Sequence, residues 1–238
     1  MLSKAKLKRY QQLGSKKFRQ KYGLFVVEGL KSVNELAKTN WPVDCILSTL
    51  DFKGNINQKF KQQTYKIDRV DFDKITQLKK SQQILAIAKI HQPVVKPSDW
   101  KLALDDINDP GNLGTIIRIA DWYGITEIYC SSKTVDEFNS KVIQSSMGSF
   151  LRVKITRGHL STLLKNQLVF ATLLNGKNIR EIEQSKKGVI LIGNEANGIN
   201  PSLLSQIKYS PVTIPSSGKA ESLNAAIAAA LCCERLTT

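Results

Sequence analysis

Short apolar runs alternate with stretches of helical spacing through the second part of this chain. The runs at residues 102–107, 127–130, 169–174, 189–193 and 212–214 are rich in Val, Ile and Leu. Between them, residues 113–123, 140–147, 160–165 and 222–235 read as helices. Such alternation predicts a mainly parallel sheet covered by helices on both faces. The earlier part is shorter and more mixed, with strands expected at 24–28, 44–48 and 84–90 and helices at 30–38 and 71–78. The two parts are joined by His91-Gln-Pro-Val-Val-Lys-Pro-Ser-Asp99, whose prolines read as a linker. The pattern therefore predicts an α/β protein of two domains, residues 1–95 and 96–238. In a parallel sheet, ligands bind where loops leave the carboxyl ends of the strands.

Charge sharpens this division. The chain carries a net charge of +15, and residues 1–95 hold 19 Lys/Arg against 7 Asp/Glu, a net of +12. Residues 96–238 hold 16 against 13, a net of only +3. Lys4, Lys6, Lys8, Arg9, Lys16, Lys17, Arg19 and Lys21 all precede the first acid, and Tyr10, Phe18 and Tyr22 lie among them. Basic residues mixed with aromatics suit a nucleic acid, through phosphate contacts and base stacking. The same pattern also fits a solvated helix whose aromatics pack on the body.

Other classes are disfavoured. No apolar run is long enough to span a bilayer, and Met1 opens onto lysines, so no membrane partner and a cytoplasmic location are expected. Cys45, Cys130, Cys232 and Cys233 form no C-x-x-C pair, and only His91 and His159 are available, so no metal site is expected. Cys232 and Cys233 sit in an alanine-rich run and read as buried thiols.

Three loops carry candidate chemistry. In Asp109-Pro-Gly-Asn-Leu-Gly-Thr-Ile-Ile-Arg118, Pro110 and Gly111 set a turn and Asn112 is placed to cap the following helix. Gly114 admits another backbone, and Arg118 is expected near the helix start. A cation there opposes the macrodipole, which suggests a functional grip on a phosphate. In Gly193-Asn-Glu-Ala-Asn-Gly198, Glu195 stands ready to accept hydrogen bonds at a strand end. In Ile214-Pro-Ser-Ser-Gly-Lys-Ala-Glu-Ser-Leu-Asn224, Ser222 is expected to cap the last helix, with Asn224 in its first turn. The small side chains that follow predict a helix buried against the sheet or a second subunit. G-x-G-x-x-G, the complete phosphate-loop pattern and G-x-S-x-G are all absent from the sequence.

Taken in series, the three loops resemble the three motifs of the SpoU/TrmH family of RNA ribose methyltransferases, in the SPOUT superfamily. The early Phe25-Val-Val-Glu-Gly-Leu-Lys31 and Ser81-Gln-Gln-Ile-Leu-Ala-Ile87 are similar to that family's substrate-binding domain, which resembles a small ribosomal RNA-binding protein. The resemblance implies a C-terminal SPOUT domain with a deep trefoil knot. It also implies S-adenosylmethionine as cofactor, and a homodimer whose active site draws on both chains. Carried over by position, Leu174, Gly176, Gly193, Ile214 and Leu223 are cofactor-binding residues, while Asn112, Arg118, Glu195, Ser222 and Asn224 are catalytic. Ser216 and Ala196 depart from the residues common at their positions.

The implied reaction is methylation of a ribose 2′-hydroxyl in RNA. The extra N-terminal domain favours ribosomal over transfer RNA. A transfer-RNA enzyme, an inactive RNA-binding homologue and a dinucleotide enzyme are the alternatives, the last lacking its glycine fingerprint. In the family proposal Arg118 is the base. Arginine keeps its proton to above about pH 12, so electrostatic stabilisation by Arg118 is the preferred role.

Overall fold

The computed structural model describes residues 2–78, 81–183 and 185–238. Strands β1 (Leu24–Glu28), β2 (Val43–Thr49), β3 (Thr64–Ile67) and β4 (Ile84–Lys89) form a four-stranded sheet in the order β1-β4-β2-β3. β4 runs antiparallel to both its neighbours, and β3 lies parallel to β2. Helices α1 (Lys4–Gln11), α2 (Lys16–Tyr22), α3 (Leu30–Ala37) and α4 (Arg69–Asp73) accompany this sheet. One sheet face buries Leu24, Val26, Leu47 and Leu85 with Tyr10, Leu13, Phe72 and Ile75. The helix expected at 71–78 is shorter and earlier, the basic start of the chain forms two helices as its solvated-helix reading allows, and β3 lies outside the expected strands.

The second sheet contains β5 (Trp100–Leu104), β6 (Glu127–Cys130), β7 (Lys154–Arg157), β8 (Val169–Asn178), β9 (Gly188–Ile192) and β10 (Ser210–Thr213). Their order is β10-β8-β9-β5-β6-β7, and every pairing is parallel. The central β9 is buried along its whole length, which explains its unbroken apolar sequence. Helices α5 (Pro110–Trp122), α6 (Ser140–Ser145) and α9 (Ala225–Thr237) pack on the face that carries Leu102, Leu104, Ile190 and Ile192. Helices α7 (Leu160–Leu163) and α8 (Pro201–Leu204) cover the other face, against Ala103, Val189 and Leu191. Gly114 lets α5 approach α6 closely, since a Cβ there would lie 2.7 Å from the Val142 carbonyl oxygen.

The two sheets share one core. Phe25 of β1 packs against Phe138 at 4.7 Å and Phe150 at 6.0 Å between ring centroids, and Trp41 also meets Phe150. A buried ion pair adds to this seam. The Arg19 guanidinium, 3% exposed, donates to Asp136 Oδ2 at 2.6 Å and to the Leu13 and Gly14 carbonyls at 2.9 Å. Arg152 makes a second bridge, between Asp121 at the end of α5 and Glu35 of α3.

Candidate active site

Because all six strands run the same way, the loops after β5, β6, β8, β9 and β10 leave at one edge of the sheet. The three motif loops meet there. The first is entered through Asp105 and Asp106, which directly follow β5. Asp106 adopts φ +57°, and its backbone N–H and carboxylate both bond the Ser131 hydroxyl. Asp109 then caps α5, accepting from the Asn112 N–H at 2.9 Å, with Pro110 in the first turn. That N–H holds the Asp109 carboxyl below the usual carboxylate range.

Two expectations are corrected at this point. Asn112 is not the cap; it sits inside the first turn, which frees its side chain to face away from its own backbone. Arg118 consequently lies about two turns into α5, exposed on its surface rather than at the helix start. The macrodipole argument for its placement therefore falls away, since the effect fades within the first turn.

The last helix is corrected in the same way. Asn224, not Ser222, is its N-cap, and Asn224 Oδ1 accepts from the Ala226 and Ile227 N–H groups. This cap orients the Asn224 amide, so Nδ2 points away and donates to Asn112 Oδ1 at 2.9 Å. With Oδ1 thus engaged, Asn112 presents Nδ2 to Glu195 Oε1 at 2.5 Å. One directed relay therefore joins Asn224, Asn112 and Glu195, one residue from each loop. The carboxylate at its end retains a second oxygen for a ligand.

Beside the relay lies a cleft of about 800 Å³. Its walls include Leu174, Gly193, Glu195, Ile214, Ser222 and Leu223. Asn112 and Asn224 line an adjoining groove of about 440 Å³ between α5 and α9. Arg118 and Gly176 line neither. Gly176 instead faces β10, where a Cβ would lie 2.8 Å from the backbone of Pro211 and Val212. At Gly193 a Cβ would come within 2.3 Å of the Gly198 carbonyl carbon, so this position tolerates no side chain. Among the described residues no group of three or more His, Cys, Asp or Glu is placed to hold a metal ion.

Two residues that organise the site carried no clear sequence signal. Asn194 donates Nδ2 to the Asp106 carbonyl at 2.8 Å and accepts from the Ala196 and Asn197 N–H groups. It thereby fastens the second loop to the first, and its backbone closes a bridge with Gly198. Asp105 is 5% exposed and accepts from the Asn200 N–H at 2.8 Å. Burial raises its carboxyl above the usual range, only partly opposed by that bond. The available signal is a pair of acids inside the run at 102–107, where the strand ends at Leu104 and frees both for the loop.

Residues 99–234 match the SpoU rRNA methylase family, and residues 4–86 match the MRM3-like substrate binding domain. The chain belongs to the SpoU rRNA methylase family. This methylase is 32% identical over 232 residues to the 23S rRNA (guanosine(2553)-2′-O)-methyltransferase RlmP of Bacillus subtilis, covering 95% of this chain and 93% of that one. It superposes on an RNA methyltransferase of the TrmH family from Porphyromonas gingivalis with TM-score 0.86 and 30% identity, over 99% of this chain and 98% of the other. An AdoMet-bound rRNA methyltransferase from Sinorhizobium meliloti gives TM-score 0.82 and 28% identity, over 99% and 95%. The four-stranded sheet thus lies in the part that matches the MRM3-like substrate binding domain, and the six-stranded parallel sheet in the part that matches the SpoU rRNA methylase family.

Proposed function

We propose that the protein methylates a ribose 2′-hydroxyl of ribosomal RNA with S-adenosylmethionine, and that residues 96–238 perform the transfer while residues 1–95 bind the RNA. The relay from Asn224 through Asn112 to Glu195, set on the rim of the cleft, carries this reading. A relative of nearly the same length is a 23S rRNA 2′-O-methyltransferase, and a similar structure holds AdoMet. The cleft suits such a cofactor. Its apolar wall of Leu174, Ile192, Leu223 and Ala225 fits a purine face, and the backbone at Gly193 and Ile214 offers hydrogen bonds to the ring edge. Bound there, S-adenosylmethionine supplies an electrophilic methyl on a sulfonium sulfur.

The chain's own task is to place and polarise the nucleophile. Asn112, Ser222 and Asn224 orient the ribose, and Glu195 anchors the hydrogen bonds around it. Arg118 grips the neighbouring phosphate and stabilises negative charge growing on the 2′-oxygen as a cation that keeps its proton. Its distance from the cleft of its own chain is consistent with service in a partner's cleft. An apolar strip on α5 and α9 supports a homodimer: Ile119, Ile227 and Leu231 line the groove beside Asn112, and Trp122 is 83% exposed on the same helix as Arg118. The chain also returns from β10, at the sheet edge, to α9 over β5 and β9 in its middle. That crossing fits a knotted C-terminal segment. No helix among the described residues is long and apolar enough to cross a membrane. Acting on ribosomal RNA, the protein works in the cytoplasm.

The test is methyl transfer from labelled S-adenosylmethionine to 23S ribosomal RNA, with mapping of 2′-O-methyl sites and calorimetry of cofactor binding. One dominant modified ribose and a retained cofactor are expected. A protein that holds no cofactor even with RNA present overturns the reading.

A further inference from the structure

The first two helices carry an unusual concentration of exposed cations, and Arg9 of α1 and Lys21 of α2 converge on the Tyr22 ring. Lys4, Lys8, Arg9, Lys16, Lys17 and Lys21 are all exposed. The two remaining cations of this region are already engaged. Arg19 is buried on Asp136, and Lys6 lies 3.8 Å from Asp44. Tyr22 ties the two helices together, steadied by Phe18 one turn earlier on α2. Phe18 and Tyr22 stack at 5.9 Å between centroids, the Tyr22 hydroxyl donates to Gln12 Oε1 at 2.8 Å, and the Arg9 guanidinium lies 5.2 Å from the centre of the Tyr22 ring. The positive face is therefore built on an ordered support.

Its position relative to the cleft follows from Arg19. Asp136, the partner of Arg19, lies in the segment after β6, which leaves the parallel sheet at the same edge as the loops after β5 and β9. That segment is itself tied to the first motif loop, through Ser131 to Asp106 and through the Val135 N–H to the Ile107 carbonyl at 2.9 Å. The buried guanidinium also accepts no freedom on the helix side, because it donates to the carbonyls of Leu13 and Gly14 in the α1–α2 turn. A chain of hydrogen bonds thus registers the cationic face to the edge where the cleft opens.

We propose that the exposed cations of α1 and α2 form a phosphate-gripping surface that holds the RNA backbone flanking the target nucleotide at the carboxyl edge of the catalytic sheet. This rests on the function proposed above and specifies which surface of the substrate-binding domain meets the RNA. Counterion release on phosphate contact drives the binding, so it weakens with salt in proportion to the number of contacts made.

The experiment compares two full-length triple variants of equal charge change. The first, Lys16→Gln/Lys17→Gln/Lys21→Gln, neutralises α2. The second, Lys96→Gln/Lys165→Gln/Lys187→Gln, neutralises exposed lysines that precede β5, β8 and β9, at the opposite edge of the sheet. Affinity for a 23S ribosomal RNA transcript is measured over a salt series, with S-adenosylmethionine calorimetry and thermal unfolding on the same preparations. The α2 variant is expected to bind RNA at least ten-fold more weakly, with a log–log salt slope shallower by about 2–3, and to keep wild-type cofactor affinity. The opposite-edge variant is expected to change affinity less than three-fold. Equal losses in both variants, or an α2 variant that binds as wild type does, overturn the proposal. Wild-type protein that retains no cofactor overturns the methyltransferase reading instead, while the RNA titration still decides the role of this surface.

Discussion

The two sheets place function in opposite ways. In the six-stranded sheet every strand is parallel, so loops separated by 83 and 112 residues meet at one edge and their side chains join in a single relay. In the four-stranded sheet β4 runs against both neighbours, and strand ends of both polarities share each edge. Among the described residues its polar contacts are small local groups, such as Glu28 with Thr76 and Gln77. That half carries instead a net charge of +12, and among its described cations nearly all but Arg19 are exposed. A convergent site depends on individual groups, whereas a distributed surface depends on their sum. Single substitutions should therefore separate the halves sharply, with large kinetic losses in one and small, additive binding losses in the other.

The largest effect is expected at Arg118. Arg118→Ala should lower the single-turnover rate by about 10³-fold, the scale of losing one group aimed at developing charge. Arg118→Lys keeps the charge but loses the fork, and should recover only part of that loss. A nearly unchanged rate in Arg118→Lys removes both the base and the fork from the mechanism. Mixing tests the proposal that the site is shared between two chains of a dimer. Chains carrying Arg118→Ala and chains carrying Asn224→Ala, refolded together in equal amounts, should regain about a quarter of wild-type activity, because half the dimers then hold one intact composite site. Mixed chains as inactive as either parent place Arg118 outside the partner's cleft.

Next comes the seam between the sheets. Arg19→Met leaves Asp136 without its buried partner and should cost about 3 kcal/mol in chemical denaturation. Arg19→Met/Asp136→Leu removes both charges and should recover most of that loss. Equal costs for the single and double variants mean that the ion pair does not join the halves. The same comparison sharpens the kinetics. The single variant should lose kcat/KM for RNA while its cofactor affinity is unchanged.

How much of this was legible beforehand follows the same division. The central strand β9 and the buried parts of β5 and β8 are readable because burial on both faces leaves a nearly unbroken apolar signature, while the polar second half of β8 falls outside it. The edge strands β3 and β7 are not readable, since Thr64–Ile67 and Lys154–Arg157 are four residues long and at least half polar. Helices α1 and α2 are legible only as one of two readings of the basic stretch, because few of their side chains enter the core. Within the site, the three loops were identified by resemblance, and six of the ten named residues do line the cleft. The relay was beyond reach, because it depends on which asparagine is the cap. Placing the α5 cap at Asn112 instead of Asp109 shifted Arg118 toward the helix start, and placing the α9 cap at Ser222 hid the bond from Asn224 to Asn112.

Two glycines offer a smaller contrast. At Gly193 a Cβ would strike backbone of the Gly198–Ile199 segment, which cannot swing aside. Gly193→Ala should destabilise by about 2 kcal/mol and weaken S-adenosylmethionine binding as the loop shifts. At Gly29 the close neighbour is Gln82 Oε1, the far end of a flexible side chain, although φ is +93°. Gly29→Ala should cost about 1 kcal/mol, from the backbone alone, and leave cofactor affinity unchanged. Thermal unfolding with and without cofactor reads both effects, and equal sensitivity of cofactor binding to the two changes breaks the contrast.

The smallest effect concerns one buried carboxyl in each half. Burial raises Glu28 above the usual range, partly opposed by bonds from the Thr76 hydroxyl and the Gln77 N–H. Burial likewise raises Asp105, opposed by the Asn200 N–H and reinforced by neighbouring Asp106. A carboxyl with a raised native pKa binds its proton more tightly folded than unfolded, so it favours the native state below the unfolded value. That advantage is lost as pH rises through the folded value. Unfolding free energy should therefore fall as pH climbs from the ordinary carboxylate range through the raised one, and Glu28→Gln should flatten this slope. The glutamine oxygen still accepts from Gln77, and the Thr76 hydroxyl can turn to accept from its amide, so the bonds survive while the charge is removed. Asp105→Asn should flatten the slope as well, yet it also changes the footing of the loop after β9, so it alone should shift the pH profile of methyl transfer. An identical transfer profile for both variants would mean that Asp105 supports the fold and has no influence on the site it lies beneath.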